Sequence, residues 1–248
     1  MELLIDVGNT NIKLAIAKDN NIIQVYTINS FKDKSSDEYY LIIRELFNLS
    51  EIKHIAISSV VPQITYVLNE LFIKHTNAKV LTLEQKVKTT IMVKADNPKE
   101  VGADLICDAK GLLGEEALIV DLGTATKYIY VKDNTIHGVA ISPGVEISIR
   151  SLVSDTALLP NIDLKVPNKI LGNNTITCMQ SGVIYSTVFA VDGFIKKVKE
   201  DLKNPNLKVV ATGGLANLIV PLCESNIIID ELLNLKGLYE ILKRNEEI

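Results

Sequence analysis

Apolar residues in this chain come in short runs closed by polar turns, and these give way to helical spacing before the same pattern returns. Leu4-Ile5-Asp6-Val7-Gly8-Asn9-Thr10 opens the chain, positions 12–17 form a second strand, and Lys18-Asp19-Asn20 closes a hairpin. Further on, Ile119-Val120-Asp121-Leu122-Gly123-Thr124-Ala125 precedes a strand over 128–131 and a second closing tripeptide, Lys132-Asp133-Asn134. Between the copies the spacing predicts a helix over 37–49, a buried strand Ile55-Ala56-Ile57-Ser58 and a helix over 63–75. After the second copy it predicts helices over 144–153 and 175–202, a strand Lys208-Val209-Val210-Ala211 and further short helices.

Strands alternating with helices predict a parallel or mixed α/β sheet. The internal repeat divides the chain into two related lobes, 1–114 and 115–248, with a cleft between them. Two unrelated hairpins could look alike, since short apolar strands do. The shared Asp, Gly and hairpin positions weigh against that reading.

Composition narrows the function. With 47% hydrophobic and 23% charged residues, the 248-residue chain has the make-up of an ordinary globular protein. A net charge of -4, with Lys and Arg scattered, argues against nucleic acid as a partner. The N-terminal residues lack the basic region and apolar run of a signal peptide, and no stretch is read as a membrane span, so a cytoplasmic location is expected. Three cysteines and three histidines, all far apart, give no close-spaced metal or disulfide pattern.

The candidate chemistry lies in the turns. Asp6-Val7-Gly8-Asn9-Thr10 puts an acid at a strand end, then a glycine that permits a tight turn, then small polar side chains. Backbone N–H groups in such a turn can cradle phosphate oxygens while the Asp holds a metal ion, and Lys13 adds charge from the next strand. An ordinary polar hairpin turn uses the same residues. The second copy at Asp121 and a third glycine turn, Thr212-Gly213-Gly214, tilt the reading toward nucleotide.

Asn97-Pro98-Lys99-Glu100 predicts a helix start with Asn97 as N-cap. Asp104 then falls in the second turn and Gly102 inside the helix, where a glycine calls for a close backbone or ligand approach. Asp104 is either a solvated surface carboxylate or a general base toward a hydroxyl. Ile141-Ser142-Pro143-Gly144 is either a plain connection or an anion-binding loop before a helix.

Taken in order, these motifs resemble the type III pantothenate kinases, a family similar to the sugar kinase, Hsp70 and actin folds with two duplicated lobes. The resemblance spans nearly the whole chain and includes Ser59-Val60-Val61-Pro62, Gly102-Ala103-Asp104 and Thr156-Ala157-Leu158-Leu159-Pro160. It implies ATP, with magnesium, at Asp6, Gly8, Asn9, Thr10, Asn11, Lys13, Thr124, Thr212, Gly213 and Gly214, with Asp6 a candidate magnesium ligand. It implies Asp104 as the base, pantothenate at Gly102, Ala103, Asp104, Leu105 and Thr175, and a monovalent cation, potassium or ammonium, on Asp121. A homodimer through the long helix that Asn174-Thr175 opens is also implied.

Three departures stand out against that pattern. Leu105 occupies the place of an arginine, Ala95 that of a tyrosine, and Lys127 that of a small hydroxyl residue. Lys94, Lys99 and Lys127 are candidate replacements for the missing arginine. The implied activity is transfer of phosphate from ATP to pantothenate. The alternatives are a kinase for another small hydroxyl compound, a non-catalytic nucleotide-binding regulator, and a phosphatase on the same fold.

Overall fold

The computed structural model describes residues 1–84 and 87–246, the side chains of Lys99 and Glu246 excepted. In chain order its elements are β1 (Glu2–Val7), β2 (Asn11–Lys18), β3 (Asn21–Asn29), α1 (Ser36–Leu46), β4 (His54–Ser59), α2 (Pro62–His75), β5 (Lys79–Thr82), β6 (Met92–Val93) and α3 (Ala103–Gly111). There follow β7 (Ala117–Leu122), β8 (Ala125–Lys132), β9 (Thr135–Pro143), α4 (Val145–Ser154), α5 (Thr175–Asp201), β10 (Lys208–Thr212), α6 (Ala216–Ile219), β11 (Ile228–Ile229) and α7 (Leu233–Glu246).

The chain forms two compact units. One is Met1–Gly114 with Leu232–Ile248, the other Glu115–Glu231. The strand order in the first is β3-β2-β1-β4-β5, and β11-β10-β7-β8-β9 in the second repeats it when read from the other edge. In both, the first three strands are antiparallel neighbours and the next two join in parallel. The hairpin tripeptides also match in backbone conformation. Asp19 and Asn20 have φ of 49° and 65°, Asp133 and Asn134 of 50° and 52°, the pair of positive values that a tight two-residue hairpin demands.

Alternation along β1 sends Leu3, Ile5 and Val7 to one face of the first sheet, where Tyr39 and Ile43 of α1 and Ile64, Leu68, Leu71 and Phe72 of α2 cover them. Leu4 goes to the other face. It meets Ala15, Ala17 and Ala56, then Cys107 of α3 and Leu235, Leu238, Ile241 and Leu242 of α7. The alanines leave a shallow surface on which two helices can sit close. In the second unit Leu118, Val120 and Leu122 face α4, α5 and α6, with Val183, Ile184, Val188, Val191 and Ile195 as the α5 contribution.

Four expectations change. The C-terminal helix was assigned with 115–248, but α7 packs on α3, β1 and β4 of the first unit, because its apolar stripe matches that alanine surface. The first long helix ends at Leu46, and Asn48 caps a separate short turn at Leu49–Glu51 by accepting from Ser50 N–H. The segment after Asn97 closes only a single tight turn, Pro98–Glu100, and α3 begins at Ala103 with an extended Gly102 as its N-cap. Finally, α5 is long and apolar enough by composition to cross a membrane, although its apolar side is taken up by the core of its own unit.

The contact of α7 with α3 depends on glycine. A Cβ on Gly237 would run into the Cys107 carbonyl, and one on Gly111 into the Leu233 carbonyl. Backbone has no rotamer with which to yield, so Gly237→Ala must push the helices apart. We expect a loss of about 1–3 kcal/mol, the usual cost of overpacking, read as a lower urea midpoint. An unchanged midpoint would show that α7 slides without penalty.

Candidate active site

In the first unit the pleat parity that buries Leu4 also fixes Asp6, because residues two apart share a face. Asp6 therefore ends β1 on the α3 side. Its register partners are Lys13 across the antiparallel hairpin and Ser58 across the parallel pair. The turn between β1 and β2 is held by Gly8 N–H donating to the Asn11 carbonyl at 2.9 Å, and Ser30 Oγ donates to the Gly8 carbonyl at 2.6 Å. Asn9 and Asn11 are exposed at its tip, and Thr10 is half-buried.

Asp104 stands in the first turn of α3, where acidic residues are favoured by the helix dipole. Its Oδ1 accepts from Leu105 N–H at 2.9 Å and folds back so closely over Gly102 that a Cβ there would collide with it. The glycine is thus explained by the acid two residues on. Asn234 of α7 donates to the Asp104 backbone carbonyl at 3.2 Å, which ties the last helix to the first turn of α3.

Cys107, one turn along, is fully buried. Burial pushes its thiol well above the usual range, with Asp6 as the next cause, so it remains a neutral thiol. Asp108, also buried, lies four residues from Asp104 on the same helix side. Sequence reasoning passed over Ser58, Asp108 and Asn234. A polar residue ending a buried strand and the i, i+4 carboxylate spacing were the available signals for the first two. Nothing local marked Asn234.

The second unit assembles its own set. Asp121 ends β7, with Thr212 of β10 beside it in parallel register and Lys127 of β8 opposite it in the hairpin. Lys127 Nζ reaches Asp121 Oδ2 at 2.6 Å, with the two side chains 17% and 13% exposed. Gly213 presses on the same acid. At φ 92° it occupies a region that L side chains avoid, and a Cβ would lie 2.6 Å from Asp121 Oδ1 and 2.5 Å from the Leu122 carbonyl carbon. The backbone bond from Leu215 N–H to the Leu122 carbonyl, 3.1 Å, fastens the two turns together.

Other candidates are placed separately. Thr124 is half-buried in the β7–β8 turn, against which Gly144, the N-cap of α4, is packed. Thr175 is exposed at the first position of α5. Its neighbour Asn174 caps that helix, accepting from Thr177 N–H at 3.0 Å, which gives Asn174 a structural role. Leu105 is buried and Ala95 exposed. Lys94 is exposed, and the side chain of Lys99 lies outside the described residues. A concavity of about 460 Å³ beside the C-terminal part of α5, lined by Lys196, Lys199 and Lys203, contains none of the motif residues.

Gly213→Ala adds a left-handed alanine and a collision with an acid fixed by an ion pair. We expect it to cost about 2 kcal/mol or more, measured by urea denaturation of the purified chain. Wild-type stability would show that the turn can move off Asp121.

Comparison with known proteins places these features in a family. A family model described as type III pantothenate kinase matches residues 2–197. A protein named type III pantothenate kinase from Acholeplasma laidlawii is 44% identical over 246 residues, covering 99% of each chain. One of the same name from Bacillus cytotoxicus is 40% identical, covering 99% of this chain and 97% of its own. Among solved structures, a protein described as a 2-dehydro-3-deoxygalactonokinase from Sinorhizobium meliloti covers both chains fully with a TM-score of 0.62 at 11% identity, a likeness of fold that agrees with two sugar-kinase-like lobes. By the family match and by these relatives along its whole length, the chain belongs to the type III pantothenate kinases.

Proposed function

We propose that the chain transfers the terminal phosphoryl group of ATP to the primary hydroxyl of pantothenate, giving 4′-phosphopantothenate and ADP, the first step toward coenzyme A. The observation that carries this is Asp104, set in the first turn of α3 by Gly102 and Asn234, in a chain whose full-length relatives carry that name. The base accepts the hydroxyl proton as the oxygen attacks phosphorus and the bond to the bridging oxygen of ADP breaks.

The turn after Asp6, with Gly8, Asn9, Thr10, Asn11 and Lys13, takes phosphate oxygens through backbone N–H groups and the lysine charge. The β7–β8 turn at Thr124 does the same, and the Thr212-Gly213-Gly214 turn takes the adenosine. Asp6 fits magnesium held mainly by the phosphates, since that ion commonly uses one or two protein carboxylates. Among the described residues no group of three or more His, Cys, Asp and Glu forms a separate cage. The ion would neutralise charge on the transferring phosphoryl group.

Pantothenate contacts are assigned to Gly102, Ala103, Asp104, Leu105 and Thr175. Leu105 is buried and carries no charge where the family has a guanidinium, so the substrate carboxylate needs a cation from elsewhere. A regulator without activity is not favoured, because the relatives named as kinases match end to end. A cytoplasmic homodimer is part of the reading. Its support is α5, where Phe189 is exposed on a helix whose opposite side is core.

In a coupled assay with ATP, magnesium and pantothenate, ADP release should depend on pantothenate. Asp104→Asn should lower kcat by about 10²–10⁴-fold, the usual worth of general base catalysis, with the ATP dissociation constant unchanged. Turnover surviving in that variant would remove Asp104 from the role. Phe189→Glu should shift the chain to monomer in light scattering; an unaltered mass would place the dimer contact off this part of α5.

A further inference from the structure

The family resemblance puts a monovalent cation on Asp121, and the residues around that acid do not fit one. Its Oδ2 already accepts from the Lys127 ammonium at 2.6 Å. Its Oδ1 lies beside Gly213 and Gly123, where an added Cβ would fall 2.6 and 3.3 Å away, so any ion there would share the acid with the lysine. A potassium ion exchanges its water shell for several oxygen ligands, and it would have to displace a lysine that brings the same charge on a tethered chain. The lysine is also fixed in place. Its register opposite Asp121 is set by the short Gly123-Thr124 turn that joins β7 to β8, and both side chains are largely shielded from water.

We propose that Lys127 is a built-in replacement for the monovalent cation: its ammonium supplies the fixed positive charge at Asp121, and the chain works without potassium or ammonium ions. Asp121 pairs with Lys127 and thereby keeps the turn carrying Gly123 and Thr124 in one conformation. Lys127 is a positioning residue, acting through Asp121 and that turn. The proposal rests on the kinase reading for its activity measurement and stands apart from it for its stability measurement.

The test compares wild type and Lys127→Ser at constant ionic strength in tetramethylammonium chloride, whose cation is too large for such a site, and in potassium chloride. Wild type should show the same pantothenate-dependent ADP release and the same melting temperature within error in both salts. Lys127→Ser should lose about tenfold or more of its activity in tetramethylammonium, since it leaves a shielded carboxylate unpaired, and should regain activity and melting temperature in potassium. Activation of the wild type by about tenfold in potassium would overturn the proposal, as would a folded Lys127→Ser that potassium does not rescue. If no salt gives pantothenate-dependent ADP, the kinase reading fails, and the melting temperatures alone decide the cation question. If Lys127→Ser does not fold in tetramethylammonium, folding on addition of potassium supports the substitution, and failure to fold in either salt leaves the wild-type salt comparison as the deciding result.

Discussion

The period of two along a β-strand governs the rest of this molecule. In β1 it sends Leu3, Ile5 and Val7 into one core and leaves Leu4 and Asp6 on the face that α3 covers. In β7 it sends Leu118, Val120 and Leu122 toward α5, so that Ala117, Ile119 and Asp121 share the other face. A slip of one residue in either strand would bury the acid among leucines and expose the core, at a cost no single contact could offset. The carboxylates are therefore positioned by the hydrophobic effect acting on their neighbours. The turns after them need only supply glycine and small polar groups.

The second constraint is the distance at which backbone meets backbone. The α7 helix reaches α3 through Gly237 and Gly111, and the turn at Gly213 reaches Asp121 because no Cβ intervenes. These approaches link parts of each unit that are far apart in sequence. They make the acid in each unit sensitive to changes in an element distant from it in sequence. Asn234 is the plainest instance, a residue of the last helix holding the backbone carbonyl of Asp104.

Much of this was legible in the amino-acid sequence. The repeated Lys-Asp-Asn tripeptides specify tight hairpins, and both adopt the paired positive φ values that such residues tolerate. The repeat itself gave the duplicated strand order. Less legible was anything decided by packing. The apolar stripe of α7 predicts a helix and is silent about which sheet it covers, and the capping pattern at Asn97 is spent on one short turn because Gly102 interrupts it with extended backbone. The pairing of Lys127 with Asp121 follows from hairpin register, which requires the exact length of the turn, and a helix or strand assignment alone does not contain it.

The return of α7 gives the first unit an unusual schedule. Its sheet, its first two helices and α3 are all made before residue 115, yet the cluster of Leu4, Ala15, Ala56 and Cys107 is completed only by Leu235, Leu238, Ile241 and Leu242 of α7. On a ribosome the whole second unit must emerge in the interval, and domains generally fold as they are synthesised. The first unit thus waits with that apolar face only partly covered while the second one completes. The core of the first unit is finished by the part of it that is synthesised last.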